Sequence, residues 1–167
     1  MHVFSNSEMN DIKIVDLFYG ADTRGSFTKI YNKENMVFNN LDFPIKEIYY
    51  SLSRKNTILG MHFQMHPYGV EKLVHVIKGS VVDVVVDLRT QSETYKKWTA
   101  ISLSAENKQA VYIPNGFAHG FKALEDDTVM LYCVSDIYCK EADTGIQYDS
   151  INFNWQLENP IVSDRDL

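Results

Sequence analysis

Ser80-Val81-Val82-Asp83-Val84-Val85-Val86-Asp87-Leu88 decides the fold class. Val82, Val84, Val86 and Leu88 share one parity and alternate with Asp83 and Asp87, which is the period of a strand. Val81 and Val85 keep the second face partly apolar, so this strand belongs to a sheet covered on both sides. Working outward, short β-rich runs broken by turn residues cover Glu47–Ser53, Thr57–Gln64, Lys72–Ile77, Trp98–Leu103, Ala110–Ile113, Gly116–Leu124 and Thr128–Tyr138. Only Asn32–Asn40 hints at a helix. Many short antiparallel strands with Gly and Pro at their corners predict an all-β jelly roll or barrel with short peripheral helices.

The chain has 167 residues, 45% of them hydrophobic, which suits a single domain over 1–167 with a real core. Its formal net charge of −6 argues against nucleic-acid binding, which needs clustered Lys and Arg to displace counterions from phosphates. Neither a secretory leader pattern nor an apolar run of the roughly 20 residues that cross a bilayer is expected from the sequence, so the expectation is a cytoplasmic protein without a membrane partner. Cys133 and Cys139 are too few for a disulfide scaffold and are expected as thiols.

Chemistry concentrates in two segments. Ile113-Pro114-Asn115-Gly116-Phe117-Ala118-His119-Gly120-Phe121 places a histidine where a strand turns into a pocket, and Gly60-Met61-His62-Phe63-Gln64 precedes Lys72, which opens another apolar strand. Strand parity puts Gly60, His62, Gln64 and, if the strand continues, His66 on one face. It puts Met130, Tyr132, Val134, Asp136 and Tyr138 on one face of another strand. Taken singly, a strand histidine is more often structural than catalytic, and Lys72 reads equally as an edge-strand lysine.

Six segments occur in an order that resembles the dTDP-4-dehydrorhamnose 3,5-epimerases: Asp22-Thr23-Arg24-Gly25, Gly60–Gln64, Lys72-Leu73-Val74, Leu103–Lys108, Ile113–Phe121 and Pro160–Asp166. The resemblance implies a cupin jelly roll acting without cofactor or metal on a nucleotide-diphosphate 4-keto-6-deoxy sugar. It further implies a homodimer with exchanged N-terminal strands and a role in deoxysugar biosynthesis for a surface polysaccharide or a glycosylated product. A proton on carbon 3 or carbon 5 is acidified by the neighbouring ketone, and histidine is suited to remove it near neutral pH. His62 matches the family's base and Asp166 the carboxylate that orients it, so the last residues are expected to fold back onto the barrel. Lys72 matches the group that stabilises the enolate, and Tyr132 the acid on the opposite face of the ring. His119, Tyr138 and Gln64 match pocket residues. Arg24 matches a nucleotide-contacting arginine that reaches the partner subunit's site, with Phe27 an aromatic beside it.

Departures from the family pattern bear on substrate recognition. Leu59 stands where an arginine usually holds the diphosphate, Lys29 where glutamate is usual, and Glu47 and Tyr49 where glutamine and asparagine line the nucleotide site. The base, the sugar and the choice between carbon 3 and carbon 5 therefore stay open. A second reading is a metal-dependent cupin, because His62, His66, Glu71 and His119 are metal-ligand types. Its spacing is wrong: His62 and His66 are four apart, where two inward-facing ligands on one strand stand two apart. A third reading, a sugar-binding cupin without catalysis, accommodates Leu59 but leaves His62, Tyr132 and Asp166 together unexplained.

Overall fold

The computed structural model describes residues 3–5, 9–38, 40–42 and 44–167. Its strands are β1 (Val3–Ser5), β2 (Lys13–Asp16), β3 (Phe18–Asp22), β4 (Gly25–Lys29), β5 (Glu47–Ser53), β6 (Ile58–Gln64), β7 (Lys72–Lys78), β8 (Ser80–Asp87), β9 (Trp98–Ser104), β10 (Gln109–Ile113), β11 (Phe117–Ala123), β12 (Thr128–Val134) and β13 (Asp143–Gly145). A helix, α1, spans Lys33–Phe38 and a single 3-10 turn spans Tyr148–Ser150. The helix expected over Asn32–Asn40 is thus shorter, and Asn39 lies outside the described residues.

Two antiparallel sheets form the jelly roll, one ordered β1-β9-β8-β11-β6-β13 and the other β2-β10-β7-β12-β5. Val81, Val85, Ile101 and Phe121 from the first sheet meet Val74, Val111, Met130 and Val134 from the second in one buried cluster. Each such side chain stabilises the fold by roughly 1.5–3 kcal/mol relative to exposure. Val84 and Val86, on the other face of β8, pack under Ile151 and Trp155 of the C-terminal segment. The second sheet is covered in the same way, with Met36 of α1 and Leu41 against Leu73 and Cys133. The two-sided covering read from Ser80–Leu88 is therefore real. The aspartate parity, however, faces inward: Asp83 and Asp87 are fully buried. Asp87 is satisfied by Arg89, Ser92 and Thr94, whereas Asp83 meets His119 inside the barrel.

Two expected strands end early. β6 stops at Gln64 and leaves His66 exposed beyond it, and β12 stops at Val134, so Asp136 and Tyr138 reach the site from a loop and not by strand parity. β1 to β4 and β13 lie outside the strand runs read from the residue pattern, and N-terminal strands were expected only through the family resemblance. Among the described residues, no helix is long and apolar enough to cross a membrane.

The C-terminal segment runs back along β6. Ile161 bridges to Thr57 in parallel, the Ile58 amide donates to the Ile161 carbonyl at 2.9 Å, and Lys122 Nζ donates to the Trp155 carbonyl at 2.5 Å. Alongside, β6 and β11 approach at Gly60 and Gly120. A Cβ on Gly60 would lie 2.5 Å from Gly120 Cα and 2.7 Å from the His119 carbonyl oxygen, and its φ of +122° disfavours any side chain. Gly60→Ala should therefore destabilise the protein by about 2–4 kcal/mol, combining strain and overpacking. Urea unfolding of the two proteins checks this, and a loss under about 0.5 kcal/mol, the level of an ordinary surface change, would contradict it.

Candidate active site

One end of the barrel opens into a cavity of about 290 Å³, lined by Glu47 and Tyr49 of β5, His62, Phe63 and Gln64 of β6, Lys72 of β7, and Tyr138, Asp143 and Arg165 from later segments. Neighbouring strands place these groups together: His62 is the register partner of His119 on β11 and of Gly145 on β13, while Lys72 pairs with Val134 on β12.

His62 is the centre of the constellation. Its Nε2 lies 2.6 Å from Asp166 Oδ1, and the other carboxylate oxygen accepts the Gly60 amide at 3.3 Å. Asp166 is 6% exposed, so the expected return of the C-terminus is present. Burial pushes the His62 pKa below its ordinary value; the Asp166 hydrogen bond and charge oppose that shift, and Arg165 and Lys72 reinforce it. The imidazole is consequently neutral near pH 7, with one ring nitrogen held by a carboxylate and the second left to take a proton.

Lys72 Nζ donates to the His62 carbonyl oxygen at 3.2 Å. Burial lowers its pKa from 10.5 to about 8, against the attraction of Asp83 and Asp143. The ammonium is thus close to His62, poorly solvated and able to stabilise a developing oxyanion.

Tyr132 and His119 lie one layer behind the lining. The Tyr49 ring stacks on Tyr132 with centroids 4.7 Å apart and planes 15° apart, while His119 meets Tyr132 edge-on at 6.1 Å. His119 Nε2 lies 2.5 Å from Asp83 Oδ1, in close contact but not aligned as a hydrogen bond. Desolvation raises the Tyr132 pKa far above that of a free phenol. Tyr49, which faces the cavity, is pushed up to about 12 by burial and by Glu47 and Asp143.

At the rim, Tyr138 donates its hydroxyl to Asp143 at 3.2 Å, and Asp143 pairs with Arg165 at 2.7 Å. Glu47 accepts the Tyr138 amide at 3.0 Å. Gln64 is occupied by the backbone at both ends of its amide, accepting from Cys139 N at 2.7 Å and donating to the Tyr68 carbonyl at 2.8 Å. It braces the rim from within the lining.

Arg24, Phe27 and Lys29 are not brought to this cavity. They belong to the β3–β4 hairpin, which among the described residues pairs as a strand only with itself and is solvent-exposed; Arg24 is held by Asp22 at 2.6 Å, and Lys29 Nζ lies 5.5 Å from the Phe18 ring centre. Leu59 is packed against the core and does not line the cavity. Asp83, Asp143 and Arg165 were missed in the sequence. Arg165 adjoins Asp166 in a motif already singled out, but nothing local marked Asp143. Among the described residues, no three His, Cys, Asp or Glu side chains converge as a metal site: His62 and His119 each hold a carboxylate, and Glu71 accepts the Tyr112 hydroxyl.

The family model of the dTDP-4-dehydrorhamnose 3,5-epimerases matches residues 6–167 of this chain. This chain belongs to that family. It is 38% identical over 166 residues to the dTDP-4-dehydrorhamnose 3,5-epimerase of Shigella flexneri, covering 96% of this chain and 91% of the relative. The solved structure of the family enzyme from Bacillus anthracis, with TDP and PPi bound, is 35% identical, with a TM-score of 0.91 over 99% of this chain and 97% of that one. The family member from Legionella pneumophila, solved in complex with dTDP-4-keto-L-rhamnose, is 31% identical, with a TM-score of 0.89 over 99% and 90% of the two chains.

The buried ammonium gives a direct physical test. An unfolded lysine titrates near 10.5 and Lys72 near 8, so between those values the unfolded chain binds more protons and the contribution of Lys72 to stability rises with pH. Below pH 8 the group is charged in both states and destabilises the fold. Lys72→Met should raise stability at pH 7 by about 1–3 kcal/mol, with the gain shrinking from pH 8 towards 10.5. Chemical denaturation across that range checks it; equal stability of the two proteins at pH 7 would refute a strained ammonium.

Proposed function

We propose that this chain inverts carbon 3, carbon 5 or both of a nucleotide-diphosphate 4-keto-6-deoxy sugar, as a step of deoxysugar biosynthesis. His62 takes the proton beside the ketone, Lys72 holds the enolate oxygen, and Tyr132 returns a proton to the opposite face. The observation that carries this reading is the 2.6 Å His62–Asp166 pair beside a buried ammonium in one cavity, an arrangement suited to proton abstraction next to a carbonyl. Asp166 orients the imidazole and stabilises the imidazolium that forms.

Family membership favours a dTDP sugar. Arg165, half-exposed in the cavity wall, is the cation available for the diphosphate where Leu59 offers none.

The reaction is tested in deuterated water with dTDP-, CDP-, GDP- and UDP-linked 4-keto-6-deoxy sugars, NMR reporting which carbon exchanges and which inverts. His62→Ala should abolish both events, and Asp166→Asn should slow both by at least about tenfold. Tyr132→Phe should still admit deuterium in the original configuration while inversion slows on the order of a hundredfold. Substantial exchange by His62→Ala would refute the base assignment. The stacked Tyr49 presents its own phenol to the cavity, which favours it as the alternative donor. That reading replaces the first if Tyr132→Phe inverts normally and Tyr49→Phe does not.

The working form is a homodimer in which the β3–β4 hairpin delivers Arg24, Phe27 and Lys29 to the partner's cavity. The support is that Phe18, Tyr19 and Phe27 are exposed on a hairpin that joins neither main sheet among the described residues. Co-refolded Arg24→Ala and His62→Ala subunits should regain activity above either parent, because one site of the mixed dimer holds both intact residues. Activity no higher than that of the parents, with dimers present by sedimentation, would refute delivery in trans.

A further inference from the structure

Glu47, Tyr49 and Ser51 alternate along β5, the edge strand of its sheet, and share one face. Tyr132 stands directly across the ladder from Tyr49. The first two of this row line the cavity. The third makes a contact that neither binding nor the established packing absorbs: Ser51 Oγ lies 3.2 Å from the Tyr132 hydroxyl, with either oxygen able to donate.

The geometry points to Ser51 as the positioning residue of the second half-reaction: its hydroxyl stabilises the phenolate that Tyr132 becomes on giving up its proton. This rests on the assignment of Tyr132 as donor and goes beyond it. When the enolate collapses, its carbon–carbon π pair forms the new C–H bond with the Tyr132 proton, the Tyr132 O–H bond breaks with its electron pair left on oxygen, and the sugar ketone re-forms. The resulting negative charge sits on a side chain only 4% exposed. Tyr49 covers one ring face with carbon, and Asp83 is a nearby negative charge. Neither relieves the phenolate. Ser51 does, since a serine hydroxyl can accept the phenol proton in the resting state and turn to donate once that proton has gone. Burial opposes ionisation of Tyr132, and the Ser51 hydrogen bond is the contact that favours it. A water taking this place would need other polar partners to hold it, whereas a backbone-anchored hydroxyl is oriented before the reaction starts.

The test compares Ser51→Ala, Ser51→Thr and Tyr132→Phe with wild type by the same NMR assay, read as the ratio of deuterium exchange at retained configuration to inversion. Ser51→Ala should leave exchange within about twofold of wild type and slow inversion about ten- to a hundredfold, the range for a hydrogen bond to a charged group. Ser51→Thr, which keeps the hydroxyl, should restore the wild-type ratio. If Ser51→Ala inverts at the wild-type rate while Tyr132→Phe does not, the inference fails and the donor assignment stands. If exchange and inversion fall together in Ser51→Ala and Ser51→Thr fails to restore them, Ser51 is merely structural and the inference fails. Normal inversion by Tyr132→Phe removes the donor assignment and this inference with it.

Discussion

The site depends on a carboxylate that has been taken out of water. Asp166 is buried against His62 and the Gly60 amide, and an unpartnered carboxylate in that position would carry a desolvation penalty of several kcal/mol. Closure of the C-terminal segment over β6 and formation of the His62–Asp166 pair are therefore one event. The closure also supplies Trp155 and Ile151, which cover the outer face of β8 and β6. Core completion and charge pairing reinforce each other, and this is how a residue so far along the chain is held to hydrogen-bond precision.

A glycine pair fixes the strand next to this carboxylate. At Gly60 and Gly120, β6 and β11 lie within contact distance, and side chains at either position would hold the strands apart. His62 sits two residues beyond that approach, so its direction is set by backbone packing. The two buried aspartates of β8 differ. Asp87 is held by hydrogen bonds from Arg89, Ser92 and Thr94, while Asp83 has only close contact with His119 and the attraction of Lys72, with no aligned hydrogen bond to either carboxylate oxygen.

The central strands were legible because a period of two is a local property, and β5 to β12 follow the runs of Val, Ile and aromatic residues. The N-terminal hairpin was not legible from its pattern: Phe18–Lys29 is exposed throughout most of its length and shows no buried face. Parity failed where strands ended, so Tyr138 was credited to β12 although a loop carries it. The direction of Asp83 could not be read, since alternation separates two faces without saying which is solvent, and a polar row normally faces outward. His62, Lys72 and Asp166 were recognisable only as members of ordered motifs. Asp143 and Arg165 meet across a fold that no short pattern encodes. Ser51 is an ordinary strand serine until Tyr132 is seen opposite.

The arrangement of β5 has an evolutionary meaning. Lys72 and Tyr132 stand on β7 and β12, each hydrogen-bonded on both sides, so a change there disturbs two ladders at once. Glu47 and Tyr49 stand on an edge strand with a single partner ladder and face the same cavity. Substitutions on that margin are more easily absorbed by the framework, so the cavity lining can change there while the doubly paired interior strands stay constrained. Positions 47 and 49 fall on the strand where substitution has the least structural consequence.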